Sequence, residues 1–134
     1  MNANHLPALI TLLTVFLMFW TAIRVGKARP KYGIEAPATT GNPDFERIFR
    51  VQMNTLENAV MFLPALWLFT IYVSPIWAAV AGAVWLAGRV WYVLAYTEDA
   101  SKRGPGFGTG MLALAILAVG AAIGVVIQLM HGGI

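Results

Sequence analysis

Every formal charge in this chain lies between Arg24 and Arg103. All nine Lys/Arg and all six Asp/Glu fall in that interval, and residues 1–23 and 104–134 carry no charge beyond what His5 and His131 could add. A water-soluble domain spreads charge over its surface, at about 25% of its residues. Here charged residues make up 11% and hydrophobic residues 59%. Two long ends without charge leave nothing to face water, so the chain reads as an all-α integral membrane protein. The net charge of +3 comes from two basic clusters and reads as membrane topology, not as a nucleic-acid footprint.

With no cysteine, the chain can form no disulfide, no thiolate nucleophile and no Cys-based metal site. No Lys or Arg precedes the apolar run from Leu6 to Ile23, and that run is longer than the apolar part of a cleavable signal. It reads as a retained first span.

A span needs about 20 apolar residues at 1.5 Å each. Four segments qualify, at residues 6–25, 43–73, 75–96 and 107–130, and together they predict one four-helix membrane domain over 1–134. KARPKYGIEAPATTGNP and TEDASKRGPGFG, between spans, read as irregular loops. Asn42-Pro43 and Ser74-Pro75 each combine an N-cap with a proline suited to the first helical turn. Asp44 and Glu46 then sit at the positive end of the second helix dipole. Pro64 is expected to bend that helix. Arg24, Lys27, Arg29, Lys31, Arg47 and Arg50 flank or fill the first loop, and Arg89, Lys102 and Arg103 border the last. The positive-inside rule places both loops in the cytoplasm and both termini across the membrane.

At about 100° per residue, Arg50, Asn54 and Glu57 share a sector of about 60° on span two, with Arg47 at its edge and Gln52 pointing away. Arg89, Tyr92 and Tyr96 share a similar sector on span three, at the same depth. A structural Arg50–Glu57 ion pair and an interfacial tyrosine belt would explain these faces without a site. Against that, an ionisable residue at the centre of a span costs about 3 kcal/mol and marks a site by default. Arginines with an Asn and a Glu suit a small ligand bearing carboxylates and an ammonium, because Arg holds a carboxylate through paired hydrogen bonds. Arg103, seven residues after Tyr96, adds a further cation.

These residues resemble the superfamily of membrane-associated proteins in eicosanoid and glutathione metabolism, which includes microsomal glutathione transferases, leukotriene C4 synthase and the five-lipoxygenase-activating protein. The similar pattern is F-E-R-x-x-R-x-Q-x-N-x-x-E, present as Phe45, Glu46, Arg47, Arg50, Gln52, Asn54 and Glu57. The second match is R-x-x-Y-x-x-x-Y with a later arginine, present as Arg89, Tyr92, Tyr96 and Arg103. Pro37 and the TTG at 39–41 also look like the family. The resemblance implies a homotrimer of four-helix subunits, with glutathione as cosubstrate bound between neighbours near the cytoplasmic surface. It implies that Arg50, Asn54, Glu57, Tyr92 and Tyr96 hold glutathione, with Arg29 and Gln52 contributing from the same or an adjacent subunit. Arg103 matches the arginine that stabilises the glutathione thiolate. The activity implied is a glutathione transferase or peroxidase acting on hydrophobic or lipid substrates, in detoxification, with no metal. Two positions depart from the leukotriene synthase branch: Pro30 replaces a second arginine, and Asn58 replaces a tyrosine that contacts glutathione.

Other signals carry less. GPGFGTG at 104–110 follows no strand and precedes no Lys, so it reads as a loop entering a helix and not as a phosphate cradle. Gly120 and Gly124 form a GxxxG, which fits general close packing better than a dedicated dimer face. His5 and His131 lack metal-ligand spacing. Trp20, Trp67, Trp77, Trp85 and Trp91 read as lipid or interface anchors. Two other functions compete with catalysis. A non-enzymatic lipid-binding scaffold of the same fold would not need Arg103, and a small multidrug exporter would need an acid in span one, where residues 6–23 have none.

Overall fold

The computed structural model describes residues 3–132. It contains four long helices, α1 (His5–Tyr32), α2 (Pro43–Tyr72), α3 (Pro75–Glu98) and α4 (Gly104–Gly132), with a 3-10 turn at Ala100–Lys102. There is no strand among the described residues. All four helical segments are long and apolar enough to cross a membrane. The central pair, α2 and α3, pack on each other and on both outer helices, so α1 and α4 stand on opposite sides of the bundle.

The capping signals work as the sequence predicts. Asn42 Oδ1 accepts from the Asp44 and Phe45 amides at 2.9 and 3.1 Å, and Glu46 reaches back to accept from the Gly41 amide at 3.1 Å. Ser74 Oγ accepts from the Trp77 amide at 3.2 Å. Satisfying these otherwise orphaned donors matters at a helix start. Removing the first cap by Asn42→Ala is expected to cost about 1 kcal/mol, read as a lower midpoint of thermal unfolding in detergent.

Three boundaries or roles differ from the sequence reading. First, α1 continues to Tyr32, so KARPKY is helical and not loop. Lys27, Arg29 and Lys31 suit the negative end of a helix dipole. The helix carries Pro30 inside and stops at Gly33, whose φ of 68° lies in the left-handed region that costs glycine no side-chain clash. The Ile34 amide donates back to Arg29 O at 3.0 Å, closing a Schellman-type end. Second, α4 starts at Gly104 and not near 107, so GPGFGTG forms its first turns. Third, Trp85 is fully buried and its ring lies 3.8 Å from that of Phe62, nearly parallel; it is core, not a lipid anchor. Trp77 and Trp91 do face outward.

The exterior is apolar: Phe16, Phe19, Val60, Ile71, Leu112 and Val119 are each well over half exposed, as lipid contact requires. Because lipid is as apolar as the interior, helices here associate through close packing and not through expulsion of water. Glycines supply that closeness. A Cβ on Gly120 would lie 2.4 Å from the Phe69 ring and one on Gly124 2.8 Å from Tyr72 O, so the GxxxG packs α4 against α2 within the chain. Buried threonines bond to their own helix, as Thr14 Oγ1 does to Ile10 O at 2.8 Å and Thr70 Oγ1 to Leu66 O at 2.7 Å.

Candidate functional site

The beginning of α2, the end of α3 and the beginning of α4 meet at one end of the bundle. α3 and α4 approach so closely there because Gly88 and Gly106 face each other without side chains. A Cβ on Gly106 would fall 2.6 Å from the Tyr92 amide nitrogen and 3.0 Å from Gly88 O. The glycine-rich stretch therefore serves helix contact, and it sets the height of Tyr92.

Between these helices lies a cleft of about 340 Å³ lined by Arg50, Asn54, Tyr92, Tyr96, Arg103 and Phe107. The tyrosine rings stack obliquely at 5.4 Å, and Phe107 closes on Tyr92 at 6.0 Å. The Arg103 guanidinium stands 5.8 Å over the Tyr96 ring and donates to Ala100 O at 3.0 Å. Asp99 holds the 3-10 turn that carries Arg103, accepting from the Ser101 amide and hydroxyl at 2.9 Å each. The backbone bond, then the hydroxyl bond, lower the Asp99 carboxyl below its ordinary pKa. A larger groove of about 460 Å³, lined among others by Arg47 and Thr39, shares Arg50 and Tyr96 with the cleft.

Of the eight sequence-predicted site residues, Arg50, Asn54, Tyr92, Tyr96 and Arg103 line this cleft. Glu57 does not, but it accepts from Arg50 Nη1 at 3.0 Å on the half-exposed face of α2. Arg29 lies elsewhere: it donates to Ala38 O at 2.9 Å and covers the Phe45 ring, pinning the loop after α1. Gln52 is not among the lining residues, as its angular position on α2 predicts. Tyr92 is only 3% exposed, which excludes a simple interfacial belt at that position. Phe107 also lines the cleft and is not among the sequence-predicted residues, although it follows Arg103 by one helical turn.

Two further residues settle into the wall. Asn58, one of the two departures, is buried and accepts from Trp85 Nε1 at 3.4 Å, so it faces the α2–α3 interior and not the cleft. Arg89 is buried behind Tyr92. Its Nη1 donates to Asn54 Oδ1 at 2.9 Å, its Nη2 to Thr55 Oγ1 at 2.8 Å, and its guanidinium lies 4.3 Å from the Tyr92 ring centre.

The cleft thus carries two arginines, an amide and two phenols, with no acid among its lining residues. No cluster of metal-ligating side chains occurs among the described residues. The protein is, by fold and by site, a multi-pass helical membrane protein with a cationic, aromatic cleft at one end of its bundle. The MAPEG family model matches residues 7–123, and the chain belongs to that family. It is 38% identical to human microsomal glutathione S-transferase 2 over 90% of this chain and 82% of that one. It is 34% identical to rat leukotriene C4 synthase over 95% and 85% of the two chains. An uncharacterized protein of Synechocystis sp. is 54% identical over 92% and 90%.

Proposed function

We propose that this chain is a membrane-bound glutathione transferase that binds glutathione in the cleft and activates it as the thiolate. The single observation that carries this reading is the convergence of Arg50, Asn54, Tyr92, Tyr96 and Arg103 on one wall-to-wall cleft. Glutathione has two carboxylates, one ammonium and a thiol. Arg50 matches a carboxylate and Arg103 matches the sulfur, while Glu57, outside the cleft lining but paired with Arg50, matches an ammonium reaching beyond the cleft. The name of the human relative, microsomal glutathione S-transferase 2, supports the same cosubstrate.

Lowering a thiol from its usual pKa of about 8.5 by two units takes about 2.7 kcal/mol. A charge-assisted hydrogen bond from a guanidinium at a partly dehydrated site is of that strength. The thiolate then attacks a lipid-dissolved electrophile, forming a C–S bond as the leaving group departs. Or it attacks a hydroperoxide's outer oxygen, releasing the alcohol and a glutathione sulfenic acid that a second glutathione converts to the disulfide and water. The sulfur comes from the cosubstrate, which suits a chain without cysteine.

The single-unit domain over 1–134, the homotrimer and the cytoplasmic placement of the two basic loops belong to the same proposal. Arg29 and Gln52 lie outside the cleft of their own chain, and a neighbouring subunit in a trimer would bring them to the ligand's outer carboxylate. An exporter is disfavoured further by the longer α1, which contains no acid over its whole length. Titration of glutathione into the detergent-solubilised protein, followed by turnover assays with an aryl halide and an organic hydroperoxide, tests the activity. Saturable binding with turnover of either substrate is expected. Absence of both favours the non-catalytic scaffold.

A further inference from the structure

We infer that Arg89 is a positioning residue that locks the Asn54 amide so that its Nδ2–H, and not its oxygen, serves the ligand cleft. This rests on the glutathione reading and names a residue that acts behind the binding surface.

Arg89 is 1% exposed. The ion pairs among the described residues are Arg47–Asp44, Arg50–Glu57 and Lys102–Glu98, so Arg89 has no carboxylate partner. A buried cation without a counter-charge is costly within a span and marks a functional element by default. Nor is it placed for packing alone, since both terminal nitrogens make directed hydrogen bonds to adjacent residues of α2, Asn54 and Thr55.

A guanidinium only donates, whereas an amide offers an acceptor oxygen at one end and a donor nitrogen at the other. Arg89 therefore fixes which end of Asn54 points inward. Flipping the amide would set N–H against N–H and leave a buried donor pair unsatisfied. With Oδ1 engaged inward, the Nδ2 end is the part of Asn54 left for the cleft that it lines. The cleft surface is then rich in donors: the Arg50 and Arg103 guanidiniums and the Asn54 amide N–H, beside tyrosine hydroxyls that can donate or accept. Such a surface selects acceptor and anionic groups. The Arg89 charge behind Tyr92, 4.3 Å from its ring centre, adds to the positive field without touching the ligand. A lysine could not hold Asn54 and Thr55 together, because it lacks the fixed fork.

The test is a double-mutant cycle on the full chain in detergent, with Arg89→Gln, Asn54→Ala and the double variant, read by glutathione titration and thermal unfolding. If Arg89 acts through Asn54, Arg89→Gln weakens glutathione about 10-fold in the wild-type background and less than about 2-fold in the Asn54→Ala background. Equal losses in both backgrounds overturn the inference, as does no loss in either. Asn54→Asp supplies a fold-safe second reading, because its carboxylate still accepts from Arg89 but presents oxygen where the cleft requires a donor. An unchanged or higher unfolding midpoint with glutathione affinity lowered about 10-fold or more is expected; wild-type affinity contradicts the lock. Failure of the wild type itself to bind glutathione would contradict the proposed function, and that result is read before any variant.

Discussion

Arg103→Ala is expected to lower kcat about 25-fold at neutral pH while changing glutathione affinity less than about 10-fold, the signature of an interaction that strengthens with charge on sulfur. Arg103 sits where the 3-10 turn passes into α4, is exposed, and lines the cleft beside Tyr96 and Phe107. Its side chain packs over Tyr96 and bears no buried load, so truncation should leave the fold intact. Moving a thiol pKa from about 8.5 to about 6.5 raises its thiolate fraction at about pH 7 from about 3% to about 76%, which is about 25-fold in rate if the thiolate is the reactive form. Steady-state kinetics on the variant, paired with equilibrium titration of glutathione, separates this from simple loss of binding. A tenfold or larger rise in Kd with unchanged kcat would move Arg103 from thiolate stabiliser to carboxylate anchor.

The largest structural effect is expected from Gly106→Ala. Its new Cβ would stand 2.6 Å from the Tyr92 nitrogen, 2.9 Å from Tyr92 Cα and 3.0 Å from Gly88 O. All three are backbone atoms, so no side chain can yield and α3 must move away from α4. Overpacking of this kind costs about 1–3 kcal/mol, more than the roughly 1 kcal/mol that alanine gains over glycine in a helix. The same displacement shifts Tyr92, so glutathione affinity should fall about 10-fold through geometry alone. Gly108→Ala is the internal control: a Cβ there meets nothing within 4 Å, and the unfolding midpoint should hold or rise. Equal behaviour of the two variants in thermal unfolding would mean that the α3–α4 contact is not tight.

The two cases also show what could be read from residue order and what could not. The four spans were legible because charge is absent from long runs, and the starts of α2 and α3 because Asn42-Pro43 and Ser74-Pro75 announce a capped first turn. The helical angle correctly grouped Arg50 with Asn54 and Tyr92 with Tyr96, and correctly turned Gln52 away. Three things were hidden. Hydropathy marks where lipid begins, not where a helix ends, so the charged extension of α1 to Tyr32 reads as loop from sequence. Glycine breaks helices in water but brings them together in lipid, so residues 104–106 read as loop from sequence although α4 begins at Gly104. Inside and outside are equally apolar in a membrane bundle, so nothing in the sequence distinguished buried Trp85 from outward-facing Trp77. Arg29 belongs to the site through the family resemblance alone; its hydrogen bond to Ala38 O and its place over Phe45 put it beyond the cleft of its own chain.

The proposed function requires the cleft to convert bound glutathione into its thiolate. The most direct measurement is the ultraviolet difference spectrum of the detergent-solubilised wild type, saturated with glutathione at neutral pH, against the same protein without it. A thiolate band that scales with occupied sites and disappears in Arg103→Ala is the expected result. Saturated binding with no thiolate band in the wild type would contradict the account.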